Sequence, residues 1–320
     1  MERREFLKGL VLGGMALTLD PLKALAGEAR KSAKVLGDNS SNLTILHCND
    51  VHSRIDAFPM EDPNFPGMGG YAKRASLVKH TRETVGKDNV LNFECGDMFQ
   101  GTPYFNIYKG KLEISLMNEM GVDAVTIGNH EFDNGLDVLV DRMEEANFPF
   151  ICSNYTFKNQ RALNTVKQYQ VFERAGKRIG VFGLGVKIEG LIAPNNADGT
   201  IYENPIRVAN DMALYLKNVE KCDLVIALSH LGYVMSGNQD SDVRLAAASR
   251  NIDFILGGHT HTFLHKPEVH QNADGKRIVI NQTGHSGLSV GRINVTFTDA
   301  PTEDGLAWQL TSMSHNHTIA

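Results

Sequence analysis

Five short polar segments of this 320-residue chain combine carboxylate, imidazole and amide side chains. Each follows an apolar run that indicates a buried strand, and the ends of such strands are where α/β folds place their functional sites. Side chains of these types bind divalent metal ions and transfer protons. The segments are HCNDVH (47–52), ECGD (94–97), GNHEFD (128–133), SH (229–230) and GGHTH (257–261).

The five segments are stronger evidence together than apart. A lone D-x-H, G-D or histidine after a strand is common in turns and cores. Asp50 and His52 are two residues apart, so an extended segment would direct both side chains the same way. The two glycines before His259 and His261 allow the backbone to come close to a bound group. Five such pieces at successive strand ends predict one shared site.

The segments resemble the pattern of the calcineurin-like metallophosphoesterases, which is D-x-H, G-D, G-N-H-[DE], H and G-H-x-H. The longer stretches LHCNDVHS, FECGDMFQGT, GNHEFD, LSHLG and GGHTHT resemble the 5′-nucleotidase branch of that family. The resemblance extends from residue 43 to about residue 315. It implies an α/β fold, a four-layer αββα sandwich of the metallophosphoesterase type, with the site along the edge of two sheets.

The resemblance also implies which residues bind two divalent metal ions. Asp97 would bridge the ions, because two ions about 3.5–4 Å apart need a shared anion. Nitrogen and oxygen donors leave the identity of the ions open among Zn, Mn, Fe and Co. By resemblance, one ion takes Asp50, His52, Asp97 and His261, and the other takes Asp97, Asn129, His230 and His259.

The implied reaction is hydrolysis of a phosphate monoester by a metal-bound hydroxide, because bound ions lower the pKa of water. His130 follows the ligand Asn129 without being a ligand in the family, and we expect both residues to contact the substrate. His130 would protonate the leaving group, and Asp133 would hold its imidazole and raise its pKa. The alternative is that His130 and Asp133 form a pair that only stabilises the loop.

Hydrophobic periodicity predicts the elements that position these segments. Strands that alternate with helices predict an α/β domain. The sequence around Ala175-Gly176 predicts a hairpin within 168–185, and alternating segments after residue 277 predict antiparallel strands. The predicted strands are 43–47, 90–94, 123–127, 149–152, 179–183, 224–228 and 253–256, and the predicted helices are 71–85, 111–120, 135–146, 206–219 and 241–250.

Composition and charge exclude some classes of protein. The formal net charge of −5 provides no basic footprint, so we expect no nucleic-acid partner. We also expect no membrane span, because no apolar stretch reaches the required length. The four cysteines lie in or beside apolar runs, which predicts buried free thiols.

The N-terminal segment indicates an exported protein. Arg3-Arg4 precedes an apolar run at 9–19, and Ala24-Leu25-Ala26 fits a signal peptidase site. This order resembles a twin-arginine signal, and we expect delivery of the folded protein to the periplasm. The predicted organisation is a signal peptide at 1–26, a linker at 27–42 and a catalytic domain at 43–320.

The substrate is less determined than the chemistry. Exported 5′-nucleotidases usually have a C-terminal domain that stacks the base and supplies arginines, whereas this sequence ends at Ala320. Trp308 lies in a strand pattern, which favours packing over a base platform. We expect a small phosphorylated substrate. We expect it to be a nucleotide that is bound with help from a separate C-terminal partner domain. The alternatives are a thiosulfohydrolase-like hydrolase on the same scaffold and a metal-binding subunit that is inactive alone.

Overall fold

The described part of the chain is built on strands that alternate with helices. The computed structural model describes residues 42–298, 301–302, 306–312 and 317–319. The predicted signal peptide and linker therefore lie outside the described residues, apart from residue 42. The strands are β1 (Asn42–Cys48), β2 (Val90–Glu94), β3 (Ala124–Thr126), β4 (Phe150–Ile151), β5 (Tyr155–Phe157), β6 (Tyr169–Arg174), β7 (Lys177–Leu184), β8 (Thr200–Tyr202), β9 (Leu224–Ser229), β10 (Phe254–Leu256), β11 (Glu268–Gln271), β12 (Arg277–Asn281), β13 (Ser289–Phe297), β14 (Trp308–Ser312) and β15 (His317–Thr318).

Helices connect the strands and cover the outer faces of the sheets. Short 3₁₀ turns at Lys87–Asn89, His130–Phe132 and Pro194–Ala197 supplement them. In the described part of the chain the α-helices are α1 (Tyr71–Val85), α2 (Pro103–Tyr108), α3 (Lys111–Met120), α4 (Leu136–Glu145), α5 (Gln160–Thr165), α6 (Pro205–Asn218) and α7 (Asp242–Ala248).

The strands form two mixed sheets. The first has the order β14-β13-β1-β2-β3-β4, with β15 beside β13, and its β1, β2, β3 and β4 are parallel. The second has the order β11-β12-β10-β9-β7-β6, with β12, β10, β9 and β7 parallel. β5 and β8 make a separate antiparallel pair. The parallel strands of each sheet end at one edge, where the polar segments follow them.

Two-residue alternation explains the layering. Along β1, Leu43 and Ile45 pack into a core shared with Ile226 of β9, whereas Leu46 packs into a different core with Val78 of α1. Successive side chains of a strand point to opposite faces, so a strand buried on both faces is continuously apolar. The core between the sheets and the two outer cores make four layers, which confirms the αββα sandwich.

A third core lies outside the second sheet. Val225 of β9 and Ile280 of β12 pack there against Ala209 and Leu216 of α6 and Leu245 of α7. The predicted helices at 206–219 and 241–250 are therefore confirmed in position, with ends that differ by a few residues.

The C-terminal strands differ in part from the prediction. β13 is antiparallel to β1 and β14, as expected, but β12 pairs in parallel with β10 as well as antiparallel with β11. β12 and β13 belong to different sheets, so residues 282–288 cross from one sheet to the other. We call this segment the crossing loop. Alternation in the sequence reports which face is buried and does not report the direction of the neighbouring strand.

Trp308 and the cysteines have structural roles. Trp308 is buried between the sheets, where its indole N–H donates to Asp253 at 2.8 Å and its ring lies 4.7 Å from that of Phe254. The prediction that Trp308 packs in the fold is therefore confirmed. All four cysteines are buried free thiols, also as predicted. Among the described residues, no helix is both long and apolar enough to cross a bilayer.

Candidate metal centre

The fold brings the predicted ligands together at one edge of the sandwich. Each lies just after a parallel strand, and the carboxyl ends of those strands meet there. The first sheet contributes Asp50 and His52 after β1, Asp97 after β2 and Asn129 after β3; the second contributes His230 after β9, and His259 and His261 after β10.

Asp50, His52 and His261 form one ligand group. Their ligand atoms lie within 4.8 Å of one another. The two imidazole Nε2 atoms are 3.0 Å apart, and His261 Nε2 is 3.3 Å from Asp50 Oδ1. His52 Nδ1 faces the Phe99 carbonyl at 3.2 Å, which places the proton on Nδ1 and leaves the Nε2 lone pair directed into the group. Three lone pairs that converge in this way fit a cation between them.

Asp97, His230 and His259 form the second group, also with ligand atoms within 4.8 Å of one another. His230 Nε2 is 3.0 Å from Asp97 Oδ2, while Nδ1 donates to the Cys95 carbonyl at 2.7 Å. The Asn129 side-chain oxygen is buried and has no hydrogen-bond partner among the described residues. An unpaired buried acceptor is costly unless a ligand satisfies it, so the donor set fits a metal ion.

Left-handed backbone recurs at the candidate ligands. The φ angles are 51° at Asp50, 50° at His52, 53° at Asp97, 74° at His259 and 52° at His261. The expectation that an extended segment aligns Asp50 and His52 is therefore wrong, although both side chains reach the same group. Such backbone costs about 1–3 kcal/mol per residue and persists only where its surroundings hold it.

Backbone hydrogen bonds between loops hold this conformation. The amides of Asp50 and His52 donate to the carbonyls of Gly96 and Asp97, each at 3.0 Å. The loop after β1 is thus fixed on the loop after β2. Gly128 is required by the same close approach, because a Cβ there would lie 2.2 Å from Asp97 Oδ1.

Glu131 is a buried residue that the ligand pattern did not identify. Its carboxylate accepts the backbone N–H groups of Asp97 and Met98, each at 2.9 Å, and that of Gly128 at 2.6 Å. Burial and the nearby Asp97 raise the pKa of Glu131 to about 7. Glu131 therefore joins the loops that follow β2 and β3. Its place in the GNHE motif was the available signal.

Asn49 and Gln282 form hydrogen bonds that help to position candidate ligands. The sequence pattern did not identify either residue. Asn49 Nδ2 donates to Asp50 Oδ2 at 2.6 Å and to the Gly284 carbonyl at 2.7 Å. Gln282 Nε2 donates to the Gly258 carbonyl at 2.6 Å, next to His259. Nothing in the sequence indicates the role of Gln282, because it lies in the crossing loop, far along the chain from the loop that it holds.

His130 and Asp133 form the expected pair at the edge of the two groups. His130 Nδ1 is 2.7 Å from Asp133 Oδ2, and its ring centroid is 5.3 Å from that of His52. Burial lowers the pKa of His130, but the carboxylates of Asp97 and Asp133 outweigh burial and raise it above its ordinary value. Because Nδ1 faces Asp133, Nε2 is the atom available to a substrate. The pair therefore favours a protonated imidazole beside the ligand groups.

The buried histidines respond to the same carboxylates. Burial lowers the pKa of His230, yet the adjacent Asp97 outweighs burial and raises it to about 10. His259 differs, because burial and His230 lower its pKa to about 4. Burial raises the pKa of Asp97, but the adjacent His230 outweighs burial and lowers that pKa below its ordinary value. Asp97 is therefore held as a carboxylate.

The two groups lie in an open groove with a volume of about 610 Å³. Among the residues that the structure describes, the side chains that line the groove include no Phe, Tyr or Trp. Besides the candidate ligands and His130, the groove is lined by Arg54, Gln100, Gly101, Leu191, His285 and Ser286.

Comparison with known proteins agrees with this geometry. A family model described as calcineurin-like phosphoesterase matches residues 43–263. Snake venom 5′-nucleotidase from Naja atra is 30% identical over 288 residues, covering 81% of this chain and 51% of that protein. The 5′-nucleotidase of Homo sapiens is 31% identical over 278 residues, covering 80% and 46%. The crystal structure of a 5′-nucleotidase precursor from Thermus thermophilus superposes with a TM-score of 0.71 at 28% identity, covering 86% and 55%.

The fold and the paired groups of candidate ligands define the class, the metallophosphoesterase fold. The chain belongs to the calcineurin-like phosphoesterase family. That family uses two divalent metal ions, in agreement with the two ligand groups. The chain spans about half the length of the curated relatives that it matches.

Proposed function

We propose that this chain hydrolyses phosphate monoesters, with 5′-nucleotides as the principal substrates. The observation that supports the reaction is the position of the His130–Asp133 pair beside two groups of metal ligands. The nucleotide substrate is inferred from the similarity to 5′-nucleotidases.

The ligand assignment follows the two groups. One ion would be held by Asp50, His52 and His261, and the other by His230, His259 and Asn129. We assign Asp97 to both ions, since it belongs to the second group by distance and lies on the loop that the backbone of Asp50 and His52 contacts. When bound, the ions activate water and stabilise charge on the phosphoryl oxygens.

His130 and Asn129 act on the substrate. The Asn129 side chain would bind a phosphoryl oxygen through its amide N–H groups and would hold an ion through its unpaired oxygen. His130 Nε2–H donates its proton to the leaving-group oxygen as the P–O bond breaks, and Asp133 keeps the imidazole oriented and protonated. The leaving alcohol thus departs neutral.

A phosphate-release screen tests this proposal. Protein loaded with Mn²⁺ or Zn²⁺ should release phosphate from 5′-nucleotides and sugar phosphates, and elemental analysis should find two ions per chain. Asp97→Ala should abolish release and reduce bound metal. Asp198→Ala, a change of an exposed aspartate, is the control. A loaded protein that never holds more than one ion contradicts the dinuclear site. Absence of phosphate release from every ester contradicts the reaction.

We propose further that base recognition comes from a second polypeptide. No Phe, Tyr or Trp is among the described residues that line the groove, and a phosphate site alone distinguishes bases poorly. Binding energy from remote parts of a substrate raises turnover as well as affinity, so a stacking surface above the groove would increase both. A C-terminal nucleotidase-like domain on a separate chain would provide that surface.

We propose that the protein is exported by the twin-arginine route. This proposal is supported by Arg3-Arg4 before an apolar run and by Ala24-Leu25-Ala26, and one relative is a venom protein. Replacing Arg3 and Arg4 together by Lys should leave the precursor in the cytoplasm. Normal periplasmic delivery of that double variant would rule out the twin-arginine route.

A further inference from the structure

Asp242 has a buried carboxyl group that neither ligand group uses. It is the first residue of α7, and its side chain is fully buried. Burial raises the pKa of Asp242 to about 7, so the carboxylate form is unfavourable at this position in itself. Ionisable groups that are buried at such a cost are often found near functional sites, which makes the contacts of Asp242 informative.

One oxygen of Asp242 holds the loop after β9. The Ser229 hydroxyl donates to Asp242 Oδ1 at 2.5 Å and accepts the backbone N–H of Leu231 at 3.2 Å. The Asp242 amide donates to the Gly232 carbonyl at 2.8 Å. Ser229 and Leu231 are the two neighbours of His230 in the chain. These bonds therefore fix the backbone on both sides of that histidine.

The other oxygen of Asp242 lies against the loop after β10. A Cβ at position 257 would lie 2.0 Å from Asp242 Oδ2, so only glycine allows this approach. Oδ2 is buried and has no hydrogen-bond partner among the residues that the structure describes. Gly257 precedes His259 by two residues. One carboxyl group thus contacts the loops of both His230 and His259, the two histidines of the second ligand group.

Different contacts support the first ligand group. Asn49 Nδ2 donates to Asp50 Oδ2 at 2.6 Å, and His52 Nδ1 faces the Phe99 carbonyl at 3.2 Å. Neither contact involves Asp242 or α7. The effect of Asp242 should therefore be larger on the ion of the second group than on the ion of the first.

We propose that Asp242 is a positioning residue for the second ligand group. Through Ser229 and Gly257 it sets the separation between His230 and His259, and it touches neither the ion nor the substrate. The inference rests on the proposed assignment of ligands to two ions. It implies that loss of Asp242 weakens binding of one ion and spares the other.

Mn²⁺ titrations in two variant backgrounds test the positioning role. His52→Ala should leave the site of His230 and His259, whereas His259→Ala should leave the site of Asp50 and His52. Asp242→Ala should weaken Mn²⁺ about 10- to 100-fold in the first background and less than about twofold in the second. If a background binds no Mn²⁺, elemental analysis of Asp242→Ala in the otherwise wild-type chain decides. Loss of one ion of two supports the proposal, and loss of both or of neither overturns it.

Two further variants test whether the hydrogen bond to Ser229 is the cause. Ser229→Ala should give a similar loss, and combining it with Asp242→Ala should add little, because both changes remove the same bond. Asp242→Asn should retain most of the Mn²⁺ affinity, because its amide oxygen can still accept the Ser229 hydroxyl. Additive losses, or an Asp242→Asn variant as weak as Asp242→Ala, would contradict this role of the bond.

Controls separate positioning from general loss of the fold. Asp211→Asn and Ser236→Ala, at exposed positions, should leave both Mn²⁺ affinities unchanged. Equal weakening in both backgrounds by Asp242→Ala, together with a lower Tm of the metal-free protein, would make Asp242 a residue of the fold alone and overturn the proposal. If the Mn²⁺ results are as expected but wild-type protein with two ions releases phosphate from no ester, the positioning role stands and the proposed function fails.

Discussion

At the scale of single residues, hydrogen bonds decide which atom of each side chain faces the groove. His52 and His230 both turn Nδ1 to a backbone carbonyl, and each thereby presents Nε2 to a ligand group. His130 turns Nδ1 to the carboxylate of Asp133 instead, and the carboxylates of Asp97 and Asp133 raise its pKa against the effect of burial. In the proposed mechanism, imidazoles would therefore serve as metal ligands in two places and as a proton donor in a third.

Replacing His130 tests the proton donor. We expect His130→Asn to lower turnover of a nucleotide by roughly 10²–10⁴, because the leaving alcohol loses its proton source. The loss should be smaller for p-nitrophenyl phosphate, whose leaving group needs less protonation. Metal content should remain at the wild-type value. An equal loss on both substrates together with loss of metal would assign His130 a structural or ligand role.

Asp133→Asn tests the electrostatic support of His130 through the pH profile. In the proposed mechanism His130 acts in its protonated form, so activity should fall as pH rises through its pKa. Asp133 is one of the carboxylates that raise this pKa against burial, and its removal should move the alkaline limb of kcat/KM to lower pH. Asp137→Asn, at an exposed position on α4, should leave the limb in place. An unmoved limb in Asp133→Asn would show that another group controls it.

At the scale of elements, the sequence predicted the strands and helices better than the conformation and contacts of the loops between them. Apolar runs such as Leu43 to His47 identified the central strands, because strands buried on both faces admit few polar residues. The polar segments after those strands identified the candidate ligands that the fold brings together. The left-handed backbone of His259 and the contact from Gln282 were not predictable, because both depend on loops from different parts of the chain meeting at one edge.

Glu131 connects two of those loops, and Glu131→Gln should loosen them. A glutamine has one carbonyl oxygen, so its amide would oppose at least one of the backbone N–H groups that the carboxylate now accepts. We expect metal affinity to fall about 10–100-fold, measured by competition with a chelator. Glu119→Gln, an exposed change on α3, is the matched control. Wild-type affinity in Glu131→Gln would mean that the loops do not need the carboxylate.

At the scale of the whole molecule, the candidate ligands and His130 lie in a wide groove that no Phe, Tyr or Trp lines in the described part of the chain. If the proposed reaction takes place there, we expect limited discrimination among substrates. The exposed Leu191, at the groove, is the kind of apolar side chain that a covering surface could contact.

A reconstitution experiment tests the proposed partner domain. Alone, the chain should hydrolyse generic monoesters slowly and with little preference for the base. Addition of the partner should raise kcat/KM for nucleotides at least about tenfold, which corresponds to about 1.4 kcal/mol of transition-state binding. If the isolated chain already reaches a kcat/KM above about 10⁶ M⁻¹s⁻¹ for 5′-nucleotides, within the range of efficient enzymes, the partner is unnecessary.

Each ligand group takes donors from both sheets: Asp50 and His52 meet His261 across the sandwich, and Asp97 meets His230 and His259. Metal binding is therefore thermodynamically linked to the association of the two sheets. At a hundredfold excess of free metal over its dissociation constant, one ion adds about 2.7 kcal/mol to the free energy of unfolding. Chelation should accordingly lower Tm in calorimetry, and hydrogen exchange should rise at the ends of β1, β2, β9 and β10 before it rises at β6 or β11. Bound ions would then stabilise the association of the two sheets in addition to binding the phosphate.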